Sequence, residues 1–149
     1  MMTRVAFQTA MRAAAVQLLT DFALDTGIKL QVYPGRPASI FPPTAFVDRI
    51  RERIAYLGPT SRQRVPTADV VVIHGLFDSK DAADQKDAFV DGFLDWTLDR
   101  YHSAGSNTLV AVVATEDDPN YVPDWMPPKE GRQPMYYATL MALEGLALD

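Results

Sequence analysis

Residues 66–113 constrain the fold of this chain more than any other part of the sequence. An apolar run occupies residues 70–73, and a second one occupies residues 109–113. Between them, residues 78–102 repeat apolar side chains at helical spacing. Neither apolar run alternates with polar residues, which is typical of strands buried on both faces. The stretch therefore predicts a strand, a helix and a second strand.

The predicted helix has one apolar side and one acidic side when its residues are placed about 100° apart. The apolar side is formed by Ala82, Phe89, Val90, Phe93, Leu94, Trp96, Leu98 and Tyr101, and the acidic side by Asp81, Asp84, Asp87, Asp91, Asp95 and Asp99. Asp78 or Ser79 is a suitable N-cap, and Gly105 is a suitable left-handed terminator. We interpret the acidic side as a solvated face. A surface that repels DNA or meets a basic partner is the alternative.

The bulk properties of the sequence indicate one soluble, intracellular domain over residues 1–149. The chain has no cysteine, which excludes disulfides, thiolate metal sites and a cysteine nucleophile. Its formal net charge of -5 disfavours general binding to nucleic-acid phosphates. No apolar run approaches the roughly 20 residues that a membrane helix needs, and the first residues lack a signal-peptide core.

The first half of the chain predicts a helix and two strands around a proline loop. Residues 5–26 have a helical apolar stripe, formed by Val5, Met11, Ala14, Ala15, Leu18, Leu19 and Phe22. Residues 28–33 alternate like a half-buried strand that Pro34-Gly35 ends. Prolines exclude regular structure from residues 36–43. Residues 44–58 predict a strand running antiparallel to residues 67–73, with a polar loop over 59–66. A helix over residues 47–56 is the competing interpretation.

The last part of the chain predicts a long irregular segment and a final strand. Residues 116–133 carry prolines, acids and aromatic side chains, and a loop of this length is usually functional or disordered. Tyr121, Trp125 and Met126 are residue types enriched in the cores of protein interfaces. Residues 135–148 predict a strand whose two faces are both apolar, which indicates either a central position in the sheet or one face covered by a neighbouring subunit. A helix over residues 139–148 is the alternative.

These elements predict an α/β chain of the α+β kind, with a small mixed sheet packed against two main helices. Their order is helix-strand-strand-strand-helix-strand-strand. The sequence indicates no catalytic, cofactor or metal site. His74-Gly75 follows a strand as in some hydrolases, but the nucleophile elbow of that fold is absent. Asp117-Asp118-Pro119-Asn120 lacks the spacing of a calcium loop. We therefore predict a protein that is not an enzyme.

Several short runs resemble the tail terminator proteins of long-tailed, siphovirus-type bacteriophages, particularly those infecting actinobacteria. They are Val-Tyr-Pro-Gly-Arg-Pro at residues 32–37, Phe-Pro-Pro-Thr-Ala-Phe-Val-Asp at 41–48, Val-Ile-His-Gly-Leu-Phe-Asp at 72–78, Phe-Val-Asp-Gly-Phe-Leu-Asp at 89–95 and Asn-Tyr-Val-Pro-Asp-Trp at 120–125. None of these runs encodes a reaction. The resemblance covers most of the chain and has the specificity of a family fingerprint.

The resemblance implies a structural virion protein at the head-proximal end of the tail, assembled in the host cytoplasm. Proteins of this family form a hexameric ring that caps the tail tube protein, fixes tail length and meets the neck, or head-tail connector. DNA passes through such a ring without specific binding, and no membrane is involved. On this basis we expect contacts with neighbouring subunits or the tube from Arg36, Ile40 and Phe41 in one loop and from Tyr121, Trp125 and Met126 in the other.

Two other functions remain open from the sequence. The chain could be another ring-forming component of the neck, such as a connector or stopper. It could also be a small intracellular enzyme or ligand-binding α/β domain, for which perturbed acids around His74 would be the signature.

Overall fold

A computed structural model of the chain has two helices and a five-stranded mixed sheet, which is an α+β fold. It describes residues 4–56, 58–100, 108–128 and 131–147. The elements in chain order are α1 (Arg4–Thr26), β1 (Gln31–Tyr33), β2 (Thr44–Tyr56), β3 (Arg62–Leu76), α2 (Lys80–Arg100), β4 (Thr108–Tyr121) and β5 (Tyr136–Ala147). The fold class and the element order predicted from the sequence are confirmed.

The sheet has the strand order β1-β2-β3-β5-β4. β1 runs parallel to β2, and every other neighbouring pair is antiparallel. The predicted pairing of residues 44–56 with residues 67–73 is confirmed, as is the central position of the last strand. Residues 70–73 are buried on both faces of the sheet, as their continuous apolar character predicted.

Both helices pack on one face of the sheet, which we call the helix face. Phe22 of α1 is the centre of this layer. Its ring meets Phe89, Phe93 and Trp96 of α2 edge-on, with ring centroids 5.2, 5.1 and 5.6 Å apart. The same cluster includes Val70 and other buried residues of β2, β3 and β5. The apolar stripes read from the sequence therefore form the main core, and the aspartates of the α2 stripe whose exposure is described face solvent.

Local sequence signals account for the ends of the helices. Gly27 follows α1 with a φ of 74°, a left-handed conformation that glycine adopts without steric cost. The predicted N-cap of α2 is present, since the backbone N–H of Ala82 donates to the Ser79 hydroxyl at 3.3 Å. At Gly75 a Cβ would lie 2.9 Å from the Cβ of Ala82, so glycine allows β3 to approach α2 closely. The predicted helix end at residues 101–105 lies outside the described residues.

Three predictions about strands were wrong in detail. β3 begins at Arg62, so the predicted loop over residues 59–66 is much shorter and β2 and β3 form one long hairpin. β4 continues to Tyr121, where an irregular segment was expected from residue 116. Pairing with β5 overrides the low strand propensity of this acidic stretch, and Pro119 is tolerated because it lies at a register shift in an edge strand. β1 has three residues where six were predicted.

Some side chains are more exposed than their apolar character predicted. Val113 is 52% exposed, and it is the unpaired residue at a register shift in the edge strand β4. Val5, near the start of α1, and Leu98, near the end of α2, also face solvent. Helical periodicity shows which side of a helix a residue lies on. Whether that side is buried near the end of the helix depends on how far the neighbouring elements extend.

Candidate functional site

The two proline-containing loops meet on the face of the sheet opposite the helices, which we call the loop face. One loop joins β1 to β2, and the other follows β4. The Trp125 indole N–H donates to the backbone carbonyl of Pro37 at 2.9 Å, a contact between residues 88 positions apart. The Arg36 guanidinium lies 5.0 Å from the centroid of the Trp125 ring, within cation–π range. The structure therefore brings two of the predicted contact residues into direct contact with each other.

An apolar cluster beneath this contact ties both loops to the sheet. Its buried members are Ile40, Phe46, Val71, Ile73, Tyr136 and Ala138. Tyr121, Trp125 and Met126 pack against them. Trp125 stands edge-on to Phe46, with ring centroids 5.3 Å apart, and Tyr121 lies 6.4 Å from Trp125. These residues form a second core on the loop face, which we call the loop cluster.

Charge interactions fix the rim of the loop cluster. Arg36 forms an ion pair with Asp48 at 2.8 Å, and this hydrogen-bonded carboxylate raises the pKa of the guanidinium. Burial, together with the nearby charge of Asp48, raises the pKa of Tyr121. Tyr121 therefore stays protonated and keeps a hydroxyl at the base of the cluster. The arrangement can position a rigid surface, in which Arg36 stays charged and Tyr121 stays neutral at neutral pH.

The six predicted contact residues differ in how far their side chains are exposed to solvent. Ile40 is buried, and Tyr121, Trp125 and Met126 are partly buried within the loop cluster. Arg36 lies at the rim, and Phe41 is 66% exposed. Most of the six therefore shape the loops from within, and Phe41 is the one of them whose side chain is mainly presented to solvent.

Sequence reasoning missed other exposed apolar residues at the same end of the sheet. β2 begins there at Thr44, and β3 and β4 end there, as their registers show. Leu76, Phe77 and Val122 are exposed at this end, together with Phe41. We call these four residues the loop-end patch. Leu76 is the last residue of β3 and Phe77 follows it, so the sequence pattern assigned both to the strand end and carried no signal of their exposure.

His74 lies in a closed environment on the helix face. Its Nε2 is 2.9 Å from the hydroxyl of Thr139, and its ring lies against Phe89. Burial lowers the pKa of His74 to about 4, the positive charge of Lys86 adds to this effect, and Asp117 opposes it. Thr139 is fully buried, so neither group of this pair can reach a substrate from solvent. The pair links β3 to β5 beneath α2.

The part of the loop face below the loop cluster is lined by ion pairs. Arg49 and Arg51 both bind Asp69, each with a shortest nitrogen-to-oxygen distance of 2.7 Å. Burial by itself raises the pKa of Asp69, but the hydrogen bonds from the two arginines outweigh it and lower the pKa overall. A shallow depression of about 450 Å³ lies here, bordered across the sheet by Glu116 and Ala142. Arg49 and Arg51 share a single carboxylate, and Glu116 lies across the sheet from them, so the depression is a mixed polar surface with charges of both signs and no concentrated site for an anionic ligand.

Among residues 4–56, 58–100, 108–128 and 131–147, no three metal-ligating side chains are grouped. In the same part of the chain, no helix combines the length and apolar character needed to span a membrane. No protein-family model and no curated protein matches the sequence. The loop cluster, the loop-end patch and the sheet edges are therefore the basis for the functional proposal.

Trp125→Phe tests how much the indole hydrogen bond holds the two loops together. Phenylalanine can keep the edge-on contact with Phe46 but cannot donate to Pro37. We expect a loss of about 1 kcal/mol of unfolding free energy, the typical net contribution of one such bond. Urea unfolding of both proteins measures the difference. An unchanged unfolding midpoint would show that ring packing alone fixes the loop.

Proposed function

We propose that this chain is a ring-forming tail terminator, a structural virion protein that caps the tail tube of a long-tailed bacteriophage. In this role a ring of identical subunits stops polymerisation of the tube protein and presents its other side to the neck of the DNA-filled head. The function rests on unlike protein contact surfaces and requires no catalytic site.

One observation carries this proposal. Four of the sequence runs that resemble tail terminators, at residues 32–37, 41–48, 72–78 and 120–125, lie at the same end of the sheet. Contacts join three of them directly, through Arg36 with Asp48, Trp125 with Pro37, and Trp125 with Phe46. Runs that are far apart in the chain therefore build one continuous surface, which is what a shared docking role requires.

The physical character of this surface suits attachment to a preformed tube. Its loops are stiffened by prolines and anchored by the loop cluster, so little conformational entropy is lost when they dock. The loop-end patch gives an apolar surface next to the charged rim around Arg36. Apolar centres with polar rims are the usual composition of protein interfaces.

The direct test is polymerisation of purified tail tube protein in the presence of this chain. A terminator shortens the tubes in a dose-dependent manner, and electron micrographs show extra density at one tube end. A connector or stopper of the neck leaves tube length unchanged and binds the portal side instead. Tubes of unchanged length and without bound protein would contradict the proposal.

Phe41→Ser tests the loop-end patch as the tube-binding surface. The exposed ring contributes little to folding, so the unfolding free energy should change by less than about 0.5 kcal/mol. We expect capping to weaken about tenfold or more, as for an exposed aromatic anchor of an interface. Ala38→Ser, at an exposed position in the same loop, is the matched control and should cap tubes normally. Equal capping by both variants would remove Phe41 from the contact surface.

A further inference from the structure

Both outer edges of the sheet are open over long stretches. β1 pairs with β2 only at residues 44–46, and the Arg12 side chain donates to the Val47 carbonyl at 2.9 Å. Within the described part of the chain, no strand lies beside β2 from Arg49 to Tyr56. β4 forms the opposite edge. Open edges present unpaired N–H and C=O groups that can pair with another strand.

The two open edges carry opposite charges on the same face of the sheet. Arg49, Arg51 and Arg53 project from β2 onto the loop face, where their partners Asp69 and Glu144 lie. From β4, Glu116 and Asp118 project onto that face, because they pair with Leu140 and Ala138 of the loop-face side of β5. Like edges would repel each other, whereas unlike edges attract.

We propose that β4 of one copy pairs antiparallel with β2 of the next copy, so that the sheet continues from subunit to subunit. β2, β3, β5 and β4 are successively antiparallel, so β4 runs opposite to β2 within one chain. A neighbour in the same orientation around a ring axis therefore offers its β2 antiparallel to this β4. The contact joins two different patches, which is the heterologous type that builds rings. This inference deepens the proposed tail terminator function and rests on it for the closure of the ring.

Bulges and side chains favour one register, because a shift by two residues keeps two charge pairs but sets Glu52 opposite Asp117. β4 is regular between its register shifts, over residues 114–118, and β2 is regular from Arg49 onward. Placing Arg49 opposite Asp118 puts Arg51 opposite Glu116, so two oppositely charged cross-strand pairs form on the loop face. In this register the regular run of β2, which begins at Arg49, lies opposite the regular run of β4, which ends at Asp118.

The same register supplies partners on the helix face and at the hairpin tip. It sets the Thr115 hydroxyl opposite Glu52, whose Oε2 is buried without a hydrogen-bond partner among the described residues. Towards the hairpin tip it brings Ile54 close to Val113, the unpaired residue at the register shift of β4, and these apolar side chains are 46% and 52% exposed in the isolated chain. A buried acceptor and two exposed apolar groups thus gain neighbours together with the charge pairs.

The geometry of this register is compatible with closure. Within one chain, Glu116 lies level with Leu140 of β5, whereas Arg51 lies level with Glu144. Each subunit is therefore displaced along the strands by about four residues, roughly 13 Å, across four strands that are together roughly 19 Å wide. That ratio corresponds to a strand tilt of roughly 35°, at the lower end of the range of closed barrels. A staggered sheet with this tilt can close on itself.

Charge reversal on each edge tests the pairing and its head-to-tail character. We expect Arg51→Glu and Glu116→Arg each to weaken self-association at least tenfold, measured by light scattering and native mass over a concentration series. An equimolar mixture of the two variants should recover assembly, because every interface then joins opposite charges. The chain carrying both changes should recover it as well. Lys80→Glu is the control for an exposed charge reversal on α2 and should associate normally.

A cysteine pair tests the register itself, because the chain contains no cysteine of its own. Residues 51 and 116 of one protomer are separated by three strand spacings, roughly 14 Å or more, beyond the reach of a disulfide. Oxidation of the R51C/E116C variant should therefore give a ladder of covalent oligomers that ends at the ring. Oxidised R51C/D84C, with the second cysteine on the exposed side of α2, should give no ladder.

The outcomes separate this inference from the proposed function. If both charge-reversal variants still form rings normally, or if the R51C/E116C ring gives no disulfide ladder, the proposed edge pairing is wrong. The tube-capping proposal is not affected by either result. Failure of the variant mixture to assemble also overturns the edge pairing. A monomer at every concentration, without cross-linking, overturns it too. Rings that form with the expected charge dependence but never shorten tubes would support the pairing and contradict the tail terminator function.

Discussion

Phe22→Ala is expected to destabilise the protein by about 3–5 kcal/mol, the usual range for removing a fully buried phenylalanine. Phe22 is 1% exposed and makes edge-on contacts with three aromatic rings of α2. Alanine would leave a cavity between the helices, which the rigid rings can fill only in part. For a domain of this size the midpoint of thermal unfolding should fall by roughly 10 °C or more.

Leu24→Ala is the matched control for this prediction. Leu24 lies two positions further along the same helix and is 75% exposed. Its removal creates no cavity, so the change in unfolding free energy should stay within about 0.5 kcal/mol. Equal losses for the two variants would contradict the buried aromatic contacts as the source of the effect, because alanine favours the helix at both positions.

The stability of the protein should depend on pH through His74. Burial lowers the pKa of this imidazole to about 4 in the folded chain, against an ordinary value near 6.5. Between these values the unfolded chain binds the extra proton, so unfolding becomes easier as the pH falls. We expect the full contribution above pH 6.5, a progressive loss towards pH 4, and a total effect of about 3 kcal/mol.

His74→Gln isolates this contribution from the carboxylates. The glutamine side chain can still hydrogen-bond to Thr139 but carries no titrating group between pH 4 and 7. Urea unfolding of both proteins at several pH values should give a difference in stability that changes across this interval. Asp69 and the other acids are common to both proteins and cancel in the comparison. A difference that stays constant with pH would contradict a neutral, buried His74.

The two proposed contact surfaces, the loop-end patch and the open strand edges, lie on different parts of the sheet. The loop-end patch lies at one end of the strands, where it can meet the tube, and the open edges of β2 and β4 lie along their sides. Lys86 joins α2 to β4 through Asp117 at 2.9 Å, so the helix layer supports the acidic edge. If the proposed roles hold, Arg51→Glu should impair ring formation and Phe41→Ser should impair tube capping, because the two substitutions lie on different surfaces.

The sequence by itself determined the local structure of most of the chain. The helical stripe around Phe22, the apolar run at residues 70–73 and the Ser79 cap each depend on neighbours within a few residues. Such signals are readable because periodicity and capping act locally. The resemblance to tail terminators likewise lies in short runs of sequence, including runs in the two proline loops.

Only the tertiary structure decided which distant segments contact each other and which side chains and strand edges stay exposed. No local pattern places Trp125 on Pro37 across 88 residues, or leaves Phe41 exposed while its neighbour Ile40 is buried. Pairing with β5 extended β4 through Pro119, and the strand order left β2 and β4 as open edges of opposite charge. These features arise from contacts between distant residues, whose free energies outweigh local propensity and leave no periodic trace in the sequence.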